Sequence, residues 1–394
     1  MVADRPQWPF EPEDAQDIRE AVRRICSGFG DDYWRERDQR REFPWDFYAA
    51  IAQGGWIGVA LPEEYGGAGR GITEASIILE EIAASGAAMN GCSAIHLSIF
   101  GMNPVVKHGS PQMREKYLPR VASGELHVAF GVTEPDAGTE TTAIRTFAKP
   151  TKGGYLVSGQ KIWTTKASLC DKVLLLVRTT PVEECERRTD GMTLLLADLQ
   201  RPEVDIQPIA KVGRNAVDSC EVRYNELFVE ESDRVGEEGR GFAYLLDGLN
   251  PERILVASEA LGIGRIALKK AVHYAKERVV FGRPIGSNQG LSFPLADAHA
   301  RLTGAELSIR NASWQYDNGL HCAEAANIAK YLAAEAGYFA ADRAMQTLGG
   351  MGYALEYDVE RYWREARLMR LAPVSQEMVL NYLSEHVLGL PRGY

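Results

Sequence analysis

Apolar positions early in the chain repeat with a helical period. Ile18, Val22 and Ile25 fall at i, i+4 and i+7, and Phe43, Phe47 and Ile51 share one face. The pattern predicts helices from about Glu13 to Glu125, punctuated by Gly54-Gly55 and Gly66-Gly67, with an apolar helix from about Thr73 to Ser85. Ser110-Pro111 makes a helix start, Ser as cap and Pro at the first helical position. From about Leu126 to Val235 the period changes. Short β runs appear at Val128 to Val132, Tyr155 to Val157, Lys172 to Val177 and Met192 to Leu196, and the charged stretch from Pro181 to Gly191 reads as a solvated hairpin connection. From Gly241 onward the pattern is helical again, broken at Gly349-Gly350 and Ala372-Pro373, with Ile328, Leu332 and Phe339 on one face. Helices, then strands, then helices make an α+β chain and not an alternating βαβ one. The expected division is 1–125 (all helical), 126–235 (β) and 236–394 (helical).

With 394 residues and 45% apolar content, the chain can bury a large core. A formal charge of −10 argues against general nucleic-acid binding, so a phosphate-bearing ligand must be met by local Arg or Lys. The six cysteines have no CxxC pair, which fits free thiols in a reducing compartment. Met1 to Arg5 lacks the apolar core of a signal peptide, and no run approaches the ~20 apolar residues of a membrane span, so a cytoplasmic protein is expected. The seven histidines are scattered without metal-ligand spacing, and neither a Gly-x-Ser-x-Gly elbow nor a Walker loop is present. No metal site is expected.

The stretch from Val128 to Thr165 organises the rest. The first run ends in Thr133-Glu134-Pro135-Asp136-Ala137-Gly138-Thr139, a loop offering hydroxyls and backbone N–H groups, and the second leads into Lys161-Ile162-Trp163-Thr164-Thr165. Each half has a plainer reading, an ordinary turn and a core Trp. Together, two edges ending in Thr suit a flat, hydrogen-bonding ring.

Val-Thr-Glu-Pro-x-Ala-Gly-Thr followed by Lys-x-Trp-x-Thr resembles the flavin-binding signature of the acyl-CoA dehydrogenase family, with Glu140 where that family usually has Asp. The order of helical, β and helical blocks also resembles that fold over nearly the whole chain, its β block barrel-like. The resemblance implies FAD. It assigns Phe130, Val132 and Thr133 to the flavin edge, Thr139 to phosphate or substrate, Trp163 to the ring face and Thr165 to its reactive edge.

The family's reaction needs a base for the acidic α C–H, a hydride acceptor and a polarised thioester carbonyl. No side chain accepts a hydride, so a flavin must. The base should be a carboxylate in a water-poor site. By alignment with the family, one of its two base positions falls on Pro373, which cannot serve. The other falls on Glu252, as in isovaleryl- and long-chain-type members. Asn250-Pro251-Glu252 also reads simply as a cap, a first-turn proline and an acid at the dipole's positive end. The resemblance places Arg253 by the base or the substrate and Asn250 near the CoA portion, though both could be plain surface polars.

Further positions carry over by the same resemblance. Arg278, Phe281 and Gln289 would reach the flavin dinucleotide of a neighbouring subunit, and a bidentate Arg there suits pyrophosphate. Gln346 and Gly350 would lie on the adenosine side, where glycine permits close approach, although Gly349-Gly350 also reads as a helix stop. Ser375 and Glu377 align with flavin contacts, and Ser375 is equally a natural N-cap for the helix carrying Leu380, Leu383 and Val387. The family implies an acyl-CoA substrate, an electron-transfer flavoprotein as acceptor and a homotetramer. Two alternatives stand beside this: a same-fold flavin monooxygenase or desulfinase, which Pro373 keeps open, and a non-catalytic subunit of that fold.

Overall fold

The computed structural model describes residues 8–393; the expectation for Met1 to Arg5 falls outside them. The helices of the first third are α1 (Ala15–Cys26), α2 (Asp31–Arg40), α3 (Trp45–Gln53), α4 (Ile72–Ile82), α5 (Ala88–Phe100), α6 (Asn103–His108) and α7 (Pro111–Ala122). The Ser110 hydroxyl caps α7 by accepting from the Met113 N–H at 3.1 Å, with Pro111 at the first helical position. Sequence periodicity runs α4 toward Ser85, but the helix widens into a π turn over Ala83–Ala87, with Gly86 at φ 105° and Ala88 at φ 48°. A buried Arg361 donates to the Gly86 carbonyl at 2.8 Å there. The break resets the axis of α5, which matters for the site.

The sheet has eight strands: β1 (Val128–Gly131), β2 (Phe147–Thr151), β3 (Gly154–Thr165), β4 (Lys172–Arg178), β5 (Met192–Asp198), β6 (Val204–Pro208), β7 (Ser219–Glu230) and β8 (Arg234–Val235). Their order is β6-β7-β3-β2-β4-β5-β8, with β1 beside β4. Apolar side chains of β3 and β7 (Val157, Val222, Leu227) meet those of β4 and β5 (Val173, Leu175, Leu195) in one enclosed core, so the packing is barrel-like although the pairing path stays open. Every residue of β4 is buried, as its unbroken apolar run requires. The expected strand at Tyr155 to Val157 and the segment it leads into, Lys161 to Thr165, form one continuous strand. Gly159, at φ 145°, lets the chain bulge instead of stopping.

The last third holds α8 (Gly241–Asp247), α9 (Leu249–Glu277), a two-strand hairpin of β9 (Val279–Val280) and β10 (Arg283–Pro284), α10 (Gln289–Asp317), α11 (Ala323–Leu348), α12 (Val359–Leu368) and α13 (Gln376–Tyr382). Helices α9 to α12 share a single core with α1 to α5. On α11 the face that Ile328, Leu332 and Phe339 share is not the buried one. The buried stripe is Ala326, Ala329, Ala333, Ala336, Ala340 and Ala344, whereas Ile328, Leu332 and Phe339 lie on the more open side. The reason is close approach to α9: a Cβ on Gly337 would meet the Ala260 carbonyl oxygen at 2.4 Å, so only small residues fit.

Asp317, at the end of α10, caps α4. Its carboxylate accepts from the N–H groups of Ile72 at 2.8 Å and Thr73 at 2.9 Å and from the Thr73 hydroxyl at 2.6 Å. Asp317→Ala is expected to cost about 1 to 2 kcal/mol of stability, read as a lower urea midpoint at unchanged slope.

Candidate functional site

The two halves of the Val128 to Thr165 stretch meet. The Ile162 N–H donates to the Thr133 carbonyl at 2.9 Å. Lys161, fully buried, donates through Nζ to the Val132 carbonyl at 3.0 Å and to Glu134 Oε1 at 2.8 Å. Glu134 in turn accepts from the N–H groups of Arg145 at 2.6 Å and Thr146 at 2.9 Å. Burial alone would raise the Glu134 carboxyl, but Lys161 and these donors hold it below the usual range, while burial pushes Lys161 down to about 8. The motif's Lys and Glu are thus a buried tie that fixes one loop against the other.

That tie sets the outward-facing residues. The β3–β7 register slips between Lys161 and Thr164, and Trp163 takes φ 63°, a left-handed conformation unusual for an aromatic residue. Its side chain is thereby turned out, 54% exposed, and not buried in the core as a strand-end Trp ordinarily is. Phe130, Val132, Thr133 and Thr165 are each partly exposed, and Thr139 is exposed. An exposed indole with hydroxyls and apolar edges around it fits a flat ring with polar edges.

Behind Thr165, helix α5 acts as a strut. Lys166 donates to the Ala94 carbonyl at 3.0 Å. Arg214 reaches Ser93 Oγ at 3.3 Å and Thr165 Oγ1 at 3.4 Å, and also the Ser219 hydroxyl. Burial pulls Arg214 below its usual value, opposed by the charges of Glu259 and Glu365.

One turn further along α5, His96 Nε2 stands 2.7 Å from Glu252 Oε2, and its Nδ1 stands 2.8 Å from Glu259 Oε1. Burial would lower this imidazole, but the charges of Glu252 and Glu259 and their hydrogen bonds overcome it and hold His96 well above its ordinary value. A histidine raised in this way contributes stability that is complete below about pH 6.5 and is lost as pH rises through its folded-state value. Glu259 is buried, whereas Glu252 is 23% exposed.

Glu252 lies in the first turn of α9, as the sequence suggested. Asn250 is not its cap, however. Gly248 occupies that position because α8 runs into α9 almost without a break, and Asn250 Oδ1 instead accepts from Arg253 at 3.1 Å. Burial pulls Arg253 down. Arg278, Phe281 and Gln289 lie elsewhere: Arg278 follows the last turn of α9, Phe281 is in the turn between β9 and β10, and Gln289 opens α10. All three are exposed, Phe281 at 100%. Gln346 and Gly350 are exposed at the end of α11, where Gly349, at φ 60°, stops the helix. The Ser375 hydroxyl caps α13 by accepting from the Met378 N–H at 3.4 Å, and Glu377 is exposed in its first turn, where the backbone hydrogen bond of that turn keeps its carboxyl low.

Three residues of this arrangement escaped the sequence reading. His96 and Arg214 carry no periodic signal. Glu259 could have been found, since it lies seven residues after Glu252 and therefore on the same face of α9. Among the described residues there is no cluster fit to hold a metal ion, and no helix is long and apolar enough to cross a membrane.

Comparison with known proteins agrees with this geometry. Family models for the N-terminal, middle and C-terminal domains of acyl-CoA dehydrogenase match residues 12–125, 129–227 and 239–388. The chain is 38% identical to acyl-CoA dehydrogenase FadE12 of Mycobacterium tuberculosis (strain H37Rv) over 98% of both chains. It is 34% identical to an acyl-CoA dehydrogenase of Bacillus subtilis (strain 168) over 88% of this chain and 91% of that one. Among solved structures, a glutaryl-coenzyme A dehydrogenase in complex with glutaryl-CoA superposes with a TM-score of 0.92 at 26% identity, covering 99% of this chain and 98% of that one. The chain therefore belongs to the acyl-CoA dehydrogenase family of FAD-dependent oxidoreductases.

Proposed function

We propose that this chain oxidises an acyl-CoA thioester to a trans-2-enoyl-CoA, with Glu252 as the base. The α proton passes to the Glu252 carboxylate, and the electron pair of that C–H bond becomes the new C=C bond. FAD, when bound, supplies the acceptor for the β hydride. The observation carrying this reading is the place of Glu252. It is a partly exposed carboxylate, hydrogen-bonded at 2.7 Å to a helix that also braces Thr165 through Arg214. At the other base position, Pro373 offers no carboxylate.

Trp163 would cover the ring face and Thr165 hydrogen-bond its reactive edge, with Phe130, Val132 and Thr133 along the rim. Thr139, Asn250 and Arg253 would hold the thioester and its CoA portion. The exposed Arg278, Phe281 and Gln289 suit contact with the dinucleotide of a neighbouring subunit, with Gln346, Gly350, Ser375 and Glu377 completing it. The open apolar side of α10 and α11, with Phe293, Trp314 and Leu332 exposed, supports a homotetramer. Electron-transfer flavoprotein is the proposed acceptor.

The test is anaerobic: the yellow protein is mixed with a panel of acyl-CoA thioesters while flavin absorbance is followed. One member is expected to bleach it with an equal amount of enoyl-CoA formed. No bleaching by any member, together with rapid oxygen uptake by the reduced protein and an oxygen atom in the product, would replace dehydrogenation by monooxygenation.

A further inference from the structure

We propose that His96 and Glu259, both buried, are positioning residues for this reaction, forming with the partly exposed Glu252 a three-member chain that aims the attacking carboxylate and balances its charge. The proposal rests on the reading of Glu252 as the base. Both ring nitrogens of His96 face carboxylate oxygens, at 2.7 and 2.8 Å, so both carry hydrogen and the ring is an imidazolium with its orientation fixed from two sides. His96 occupies Glu252 Oε2, which leaves Oε1 to take the proton. Glu252 and Glu259 stand two turns apart on one face of α9, and the imidazole bridges the gap between them.

Charge balance gives each member a task. Two carboxylates and one imidazolium sum to −1, and the chain becomes neutral when it accepts the substrate proton. An imidazolium beside Glu252 alone would oppose that uptake; Glu259 offsets it from the far side of the ring. The other charged and titratable groups around this chain are Arg214 and Cys92, on both of which the charges of Glu259 and Glu365 act, Lys166 on the α5 carbonyl of Ala94, and Arg253 on α9, on which the charge of Glu252 acts. A plain hydrogen-bonded tie between α5 and α9 is the competing account. It makes no demand on the pH profile.

The experiment uses full-length, FAD-loaded protein and the thioester that bleaches wild type, following anaerobic flavin reduction across pH. His96→Gln is expected to lower the limiting rate about 30-fold and Glu259→Gln about 10-fold, with KM nearly unchanged. The acidic limb of the rate profile moves in opposite directions. It rises in His96→Gln, where the cation beside the base is gone, and falls in Glu259→Gln, where that cation is left unopposed. Should His96→Gln fail to hold FAD, the near-isosteric Glu259→Gln decides alone. Rates and limbs like those of wild type, with Glu252→Gln inactive, would overturn this proposal while leaving the base intact. An active Glu252→Gln would instead remove the base assignment itself.

Discussion

Glu252→Gln is expected to purify yellow, with its full complement of FAD, and to reduce its flavin at least about 10³-fold more slowly than wild type when given its substrate. The fold should survive, because Gln keeps the size of the side chain and its amide oxygen can still accept from His96 Nε2, the contact Glu252 makes at 2.7 Å. What is lost is the ability to hold a proton. The defect should fall on the reduction step itself, with the affinity for a substrate thioester preserved, which separates a missing base from a damaged pocket. Stopped-flow absorbance of anaerobic enzyme against increasing thioester gives both quantities. A limiting rate within a few-fold of wild type would remove Glu252 from the chemistry.

The sequence displayed this site unevenly, for physical reasons. The motif halves from Val132 to Thr139 and from Lys161 to Thr165 were legible because local turn and strand chemistry writes itself into adjacent residues. What joins them, the Lys161–Glu134 pair and the Ile162 to Thr133 hydrogen bond, is a contact between segments about 27 residues apart, and no local pattern encodes it. His96 was silent for a similar reason: it sits in a helix buried at nearly every position, and its partners Glu252 and Glu259 lie more than 150 residues on. Trp163 was half legible. Its type marked it, but its outward turn follows from a register slip between β3 and β7, which depends on the partner strand. On α11 the large apolar residues share a face that is not the buried one. In a helix pressed against two others, alanine and glycine mark the buried side better than leucine does.

Lys161→Met is expected to cost about 3 kcal/mol of stability and to weaken FAD retention even though Lys161 is not assigned to the ring. Removing the ammonium leaves Glu134 buried and charged, with the N–H groups of Arg145 and Thr146 still donating to it. It also frees the Val132 carbonyl, which Lys161 now holds at 3.0 Å, so the loop bearing Thr133 loses one of its ties to β3 and keeps the Ile162 N–H on the Thr133 carbonyl. The double variant Lys161→Met, Glu134→Gln should recover most of the stability, because a buried pair is worth little more than apolar or neutral groups that fill the same space. It should not recover all of the FAD affinity, since the Val132 carbonyl stays unpartnered. The pH dependence gives an independent check. Glu134 is held below its usual range, so its contribution is present above about pH 4.5 and lost as pH falls through the lower folded-state value. With Lys161 gone that depression shrinks, and the urea midpoint should fall less steeply from pH 5 to pH 3 than in wild type. Equal slopes in the two proteins would mean that the pair does not hold the loop, and that the neighbouring ladder alone keeps Thr133 beside Trp163.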